Sequence, residues 1–407
     1  LPFTLTISQT ATPPVAARHR YSLTKNGYAV QHSGSFQKSV NSHPIYGPNK
    51  LKLGIFSQNT SHGCAISTAE GTMKVTWGDN ISLARAADKA GLELLVPVGR
   101  WAGFGGETNF SVESYETYTW AAGIGQATET IGIMTTSHIP VIHPIMAAKQ
   151  AMTIDHISGG RFGLNIVCGW SGPEMEMFGK SMMEHDTRYE YAAEWVEILK
   201  MLWTREDAFD YDGRFLKVTK AISQPKPLQK PRPPLMNAGG SAAGKKFCAQ
   251  HCDVAFLLLD PDSIDGTKAR IDAYRDYAKQ EFGRDLQIWA YGYVVHGDTT
   301  KEAEDFLQYY AVEKGDDVAV ANLCHQLGMD KVITDKDAYE RFKFHFKAGY
   351  GGYPLVGTPD HIARKLEDVA NAGLDGLALS WLDYHAGLER FNREVMPLLR
   401  QNGLRLG

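Results

Sequence analysis

Eight short runs of apolar residues recur along the chain from residue 51 onward, and nearly all are followed by a stretch with helical spacing. They open at Leu51, Leu92, Ile131, Arg161, Leu235, Val254, Ile288 and Gly376. These runs are apolar at consecutive positions rather than at alternate ones. A strand of that kind must be covered on both faces, which describes a parallel sheet sheathed by helices. Eight such units within 407 residues favour closure into a (β/α)8 TIM barrel with insertions over an open doubly wound α/β sheet. The spacing predicts helices over Asn80–Ala90, Val112–Thr128, Pro144–Ile157, Tyr189–Trp203, Ser241–Gln250, Ser263–Phe282, Lys301–Val312, Pro359–Ala372 and Gly387–Gln401.

Three segments stand outside that rhythm. Phe209–Thr219 alternates around Asp212-Gly213, a hairpin signal. Glu313–Gly352 has no clear strand and is expected to be an insertion or a lid, with Gly349-Tyr350-Gly351-Gly352 as its mobile end. Residues 1–50 carry Arg18, Arg20, Lys25, Lys38 and Lys50 before the first carboxylate, Glu70. Such a segment is either an organelle leader or an N-terminal arm lying on the barrel rim or a neighbouring subunit, and the arm is the expectation. The domains are thus residues 1–50 as arm and 51–407 as barrel.

A formal net charge of −4, with 22% charged residues, excludes a disordered chain and a nucleic-acid binder of ordinary type. No run approaches the roughly 20 apolar residues of a membrane span. Five scattered cysteines are too few for a disulfide scaffold and point to a reducing, cytoplasmic setting. Cys248, His251 and Cys252 resemble metal ligands, but His251 is off the face the two cysteines would share and no second cluster completes the set, so no metal is expected. Neither a Gly-x-Ser-x-Gly elbow nor a His-Glu-x-x-His pair is present to support a hydrolase.

Barrel chemistry belongs where strands end. Asn165 interrupts the apolar run Gly163–Val167, and a buried amide left unpaired costs about 1–3 kcal/mol, so it needs either a core partner or a ligand. Thr136 ends the preceding strand, where threonine is also an ordinary strand former. Asn237-Ala238-Gly239-Gly240-Ser241 leads from a strand into a helix, and its glycines let backbone amides approach a phosphate. Trp77, Trp101, Phe104 and Trp170 follow strands and are candidates to stack on a planar ligand or to pack beneath loops.

The stretch Ile154-Asp155-His156-Ile157-Ser158-Gly159-Gly160-Arg161-Phe162-Gly163-Leu164-Asn165-Ile166-Val167-Cys168-Gly169-Trp170 resembles the bacterial luciferase-like flavin monooxygenases. The similarity is to the branch of pyrimidine, dimethylsulfone and alkanesulfonate monooxygenases. Gly103-Phe104-Gly105-Gly106, His185-Asp186-Thr187-Arg188-Tyr189, Gln224–Gln229, Ala238–Ser241, Gly357-Thr358-Pro359 and Phe391–Leu399 agree in order and spacing. The match covers about Leu51 to Leu399.

The resemblance implies a homodimer or homotetramer that uses reduced FMN, delivered by a separate flavin reductase, and dioxygen on a small organic substrate. It implies flavin contacts at Gly99, Arg100, Asn165, Glu174, Arg188, Tyr189, Gly240 and Ser241. It implies that Thr136 and Asn165 face oxygen and the flavin N5 edge, with Val96 and Val98 lining an apolar oxygen pocket. Two departures from the pyrimidine enzymes stand out: Arg100 replaces a lysine, and His138 and His143 replace neutral residues. The Thr136/Asn165 pair favours cleavage of an N-heterocycle or amide-type ring through a flavin peroxide. A sulfone, sulfonate or halogenated aromatic, a non-catalytic flavin-binding barrel, and a deazaflavin-dependent oxidoreductase are the alternatives.

Overall fold

The computed structural model describes residues 43–406. Residues 1–42, which hold most of the expected arm, lie outside the described residues.

The first half of the barrel runs β1 (Lys52–Phe56), α1 (Trp77–Lys89), β2 (Leu94–Val96), α2 (Thr117–Ala127), β3 (Gly132–His138), α3 (Pro144–Ile157), β4 (Phe162–Val167), α4 (Gly172–Met177) and α5 (His185–Thr204). A hairpin, β5 (Phe209–Asp212) and β6 (Lys217–Ala221), intervenes. The chain continues through β7 (Leu235–Asn237), α6 (Ala242–His251), β8 (Val254–Leu257), α7 (Ile264–Phe282), β9 (Gln287–His296) and α8 (Thr300–Gln308). It closes with α9 (Asp317–Gln326), α10 (Met329–Val332), α11 (Lys336–Gly349), β10 (Tyr353–Gly357), α12 (Pro359–Asn371), β11 (Gly376–Ser380), α13 (Tyr384–Glu394) and α14 (Met396–Gln401).

The eight expected strands close on themselves in the order β1, β2, β3, β4, β7, β8, β9, β11, all parallel. Alternation along each strand sorts side chains into two layers. Outward residues such as Ile55, Leu95, Ile133, Leu164 and Leu377 pack against the helices. Inward residues, among them Phe56, Leu94, Val96, Met134, Met236, Trp289 and Tyr291, fill the barrel. Phe56, Phe256 and Tyr291 meet inside it with ring centroids 4.6–5.5 Å apart. The short turn Pro44–Tyr46 inserts fully buried Ile45 into this interior cluster, so the described end of the expected arm belongs to the barrel core.

Helix starts follow local chemistry. Thr76, Glu116, His143, Ser241, Ser263 and Thr358 each accept a backbone N–H in the first turn of the helix they precede. The hairpin around Asp212-Gly213 is present and antiparallel. One strand was not expected. β10 pairs with the upper half of β9, through Tyr353↔Gly292 to Gly357↔His296, beyond the point where β8 stops. The segment Glu313–Gly352 is helical and docked. Ile66, Phe104, Phe110, Val320, Leu323 and Phe346 bury one another, the Asp316 carboxylate accepts from Thr108 N–H and Oγ1, and Asn322 Nδ2 donates to Phe104 O at 2.7 Å.

Candidate active site

Register places Thr136 of β3 directly beside Asn165 of β4, and both are buried. Asn165 Nδ2 donates to Thr136 Oγ1 at 3.2 Å, and Thr136 passes its own hydrogen to Pro97 O. The threonine proton is therefore committed to the β2 end, which leaves Asn165 as the freer of the two. Its Oδ1 is buried and has no partner. Val96 is buried in the barrel interior, and half-buried Val98 packs against the same cluster. A Cβ on Gly99 would stand 3.2 Å from Thr136 O and 3.3 Å from its Cγ2, so glycine permits the close passage of the β2 loop over β3.

Arg100 and Glu174 meet each other. Arg100 Nη1 lies 3.2 Å from Glu174 Oε1, with both side chains almost fully buried, and the guanidinium rests 4.9 Å from the rings of both Phe104 and Trp170. Glu174 also accepts the Trp101 backbone N–H at 2.8 Å. The second Arg100 amino group donates to Tyr350 Oη at 3.1 Å. Tyr350 ends the inserted helices in the left-handed region at φ 56°, and its carbonyl accepts from Tyr291 Oη. This tyrosine, 250 positions from Arg100, carries no sequence signal beyond its place in the expected lid.

His138, facing inward two residues above Thr136, accepts from Trp101 Nε1 at 3.1 Å through Nδ1. Burial pulls its pKa down to about 4; the Glu174 charge opposes this and Arg100 adds to it. His138 is thus neutral, and its 3.8 Å separation from Glu174 is not an ion pair.

The β7–α6 turn lies across the mouth. Ser241 caps α6, accepting from Gly244 N–H at 3.1 Å. A Cβ on Gly239 or Gly244 would come within 2.9 Å of Tyr189 Oη, whereas one on Gly240 would meet nothing within 4 Å. Glycine at the first two positions lets Tyr189 close on the turn, and Gly240 faces open space. Arg188 Nη1 donates to Gly169 O, while its Nε is buried without a partner. A cavity of about 500 Å³ joins Arg188, Tyr189 and the Gly239–Ser241 turn to Trp170 and Tyr350. A second, of about 280 Å³, takes in Gly99, Arg100, Thr136 and His138. Of the expected site residues, Arg188, Tyr189, Gly240 and Ser241 line the first cavity and Gly99, Arg100 and Thr136 the second, while Val96, Val98, Asn165 and Glu174 line neither.

Other singled-out residues do structural work. Arg161 donates to the carbonyls of Gly125, Thr128, Ile131 and Ser158, and Asp155 accepts from Leu228 and Gln229. Trp77 packs edge-on to Tyr115. Phe104 is buried against Phe110 and Trp170. The five cysteines are free and buried, and among the described residues no cluster could hold a metal ion. No helix among them is long and apolar enough to cross a membrane.

Residues 51–376 match the model of a family described as luciferase-like monooxygenase. The chain belongs to that family. Within the luciferase-like monooxygenases it is 30% identical to the pyrimidine monooxygenase RutA of Bradyrhizobium sp. strain BTAi1 over 363 residues, covering 88% of this chain and 99% of the relative. It is 28% identical to the FMNH2-dependent dimethylsulfone monooxygenase of Pseudomonas putida, covering 86% and 96%. Among solved structures, riboflavin lyase RcaE superposes with a TM-score of 0.77 at 22% identity, covering 87% of this chain and 92% of that one. DmoA from Hyphomicrobium sulfonivorans superposes at 0.76 and 20% identity, covering 88% and 89%. At those identities the structural likeness speaks for the luciferase-like fold.

Proposed function

We propose that the chain is the oxygenase of a two-component system, taking reduced FMN from a separate reductase and using it with dioxygen on a small organic molecule. The 500 Å³ cavity supports this reading: a glycine turn at a capped helix start lies at one end and flat aromatic walls at the other. The residues present fit the coenzyme. Backbone amides around Gly240 and Ser241, with Arg188 and Tyr189, would hold the phosphate. Asn165, whose buried Oδ1 lacks a partner, would meet the polar edge of the ring, with Trp170 against its face. Gly99 and Arg100 line the neighbouring 280 Å³ cavity, with Glu174 paired to Arg100, and would reach the coenzyme from that side.

Reduced FMN, when bound, supplies the activation of dioxygen. The chain's part is to orient and to exclude water. Thr136 and Asn165 form a fixed amide–hydroxyl pair beside apolar Val96 and Val98, where oxygen can lodge in a dry place. The Arg100–Glu174 pair is internally neutral, so it stiffens the β2 loop rather than offering free charge. The pyrimidine and dimethylsulfone relatives bracket the substrate classes, and the Thr136/Asn165 pair favours an N-heterocycle or amide-type ring. Stopped-flow spectroscopy of the protein with reduced FMN and oxygen, across heterocycles, sulfones and sulfonates, tests the reading. Oxygen use that depends on both FMN and substrate is the expected result. Turnover with a reduced deazaflavin and no oxygen requirement would replace it with a hydride-transfer function, and no affinity for reduced FMN would end it.

A further inference from the structure

Tyr350 belongs to the insertion, yet it packs against the barrel-interior cluster that holds Val96 and that Val98 joins. It also lines the cavity of about 500 Å³ read above as the coenzyme site. Its hydroxyl accepts from Arg100 Nη2 at 3.1 Å, and among the described residues no group accepts the hydroxyl's own hydrogen. The neighbouring hydroxyls are committed: Thr136 Oγ1 donates to Pro97 O, and Tyr291 Oη donates to Tyr350 O. That last bond ties the Tyr350 backbone to β9 while Arg100 fixes the far end of its ring. The uncommitted hydrogen thus belongs to a phenol held at both ends. Burial raises the Tyr350 pKa above its ordinary value, with Arg100 pulling the other way. The phenol therefore keeps its proton at neutral pH.

We infer that Tyr350 is a catalytic residue, whose hydroxyl protonates dioxygen as it is reduced beside Val96 and Val98. The inference rests on reading the larger cavity as the site of reduced FMN. Dioxygen gains two electrons and two hydrogens, and the coenzyme loses both. That holds whether the end is hydrogen peroxide or, with a substrate, water and an oxygenated product. In the step assigned to Tyr350, its O–H bond breaks and an O–H bond forms on the oxygen being reduced. Charge gathering on oxygen in so apolar a place is costly unless a donor meets it. The phenolate left behind keeps its charge-assisted bond to the Arg100 guanidinium. It regains a proton from those the coenzyme releases, so the tyrosine is unchanged over a cycle. Neither Thr136, whose hydrogen is spent on Pro97 O, nor Asn165, an amide, supplies an acid here.

Tyr350→Phe keeps the ring and removes the proton. Anaerobic titration gives its affinity for reduced FMN, and stopped-flow mixing of that complex with oxygen gives the reoxidation rate in light and heavy water. The expected affinity is within about twofold of the parent chain's, which also shows the variant folded. Reoxidation should be about 100-fold slower, and the slowing in heavy water that the parent chain shows should be lost. A second readout needs no turnover. In chain labelled with carbon-13 at the tyrosine Cζ, the resonance missing from Tyr350→Phe marks Tyr350, and it should move when reduced FMN binds without oxygen. Reoxidation at the parental rate, a solvent isotope effect that survives the substitution, or a Tyr350 resonance indifferent to reduced FMN overturns the inference. Weakened affinity with parental reoxidation of the complex does the same, leaving Tyr350 as a clamp on Arg100. No affinity of the parent chain for reduced FMN removes the coenzyme reading itself, and the inference with it.

Discussion

Asn165 spends one amide hydrogen on Thr136 and leaves its oxygen unpaired in a buried setting. An isosteric Asn165→Leu exchange removes that unsatisfied acceptor, so the melting temperature should stay the same or rise while oxygenation falls by about 100-fold or more. Calorimetry and oxygen-electrode assays on one preparation check both halves, and retained turnover would remove Asn165 from the chemistry. The histidines make a second prediction. His43, His138, His251 and His296 are held at about 3, 4, 4 and 4, with burial the leading cause in each. In the unfolded chain they titrate near the ordinary value of about 6.5. Between roughly pH 6.5 and 4 the unfolded state therefore binds more protons. Stability is fully present above pH 6.5 and is lost as the pH falls toward 4. Asp155, pushed up by burial, acts in the opposite sense but is one group against four. The urea midpoint should drop from pH 7 to pH 5, and the His138 ring resonances should not move over that interval.

Two connections between elements each depend on a single residue, Arg161 in one and Gly244 in the other. Arg161 satisfies carbonyls at the end of α2, at the end of α3 and at the start of β3. A lysine carries its donors on one nitrogen and cannot reproduce the fork that spans these four carbonyls, so Arg161→Lys should cost about 2–4 kcal/mol in chemical denaturation. Reduced-FMN affinity should be unchanged, since none of these acceptors lies at the mouth. The α5–α6 contact behaves differently. Gly244→Ala would push its Cβ to 2.8 Å from Tyr189 Oη and Gly239, parting the tyrosine from the turn. Reduced FMN should then bind about tenfold more weakly, and because two of the crowded atoms are Gly239 backbone, the melting temperature should fall as well. The element scale also shows what sequence can carry. Pro144–Ile157 is a helix to the residue, because a proline starts it and Ser158-Gly159-Gly160 stops it. β10 escaped notice because Pro354 interrupts a five-residue run, and a proline is tolerated there on an edge strand.

Over the whole molecule, the eight barrel strands were legible because burial on both faces leaves continuous apolar runs, whereas the site was legible only in part. Thr136 and Asn165 sit on adjacent strands whose order the strand–helix alternation already implies, and Ser241 is a local cap. The Arg100–Glu174 pair, the Tyr350 contact and the neutral His138 join residues up to 250 positions apart, which no local pattern encodes. The insertion rests on the barrel through Asp316, so Asp316→Ala should raise hydrogen exchange in α9 and α11 while the barrel strands stay protected. β9 is ten residues long, and its lower half belongs to the barrel wall while its upper half carries β10. Everything between those two strands is therefore clamped at both ends onto a single rail. The points where the inserted helices leave and rejoin the wall are thereby set, and Tyr350, three residues before β10, is held within reach of Arg100 by that anchorage.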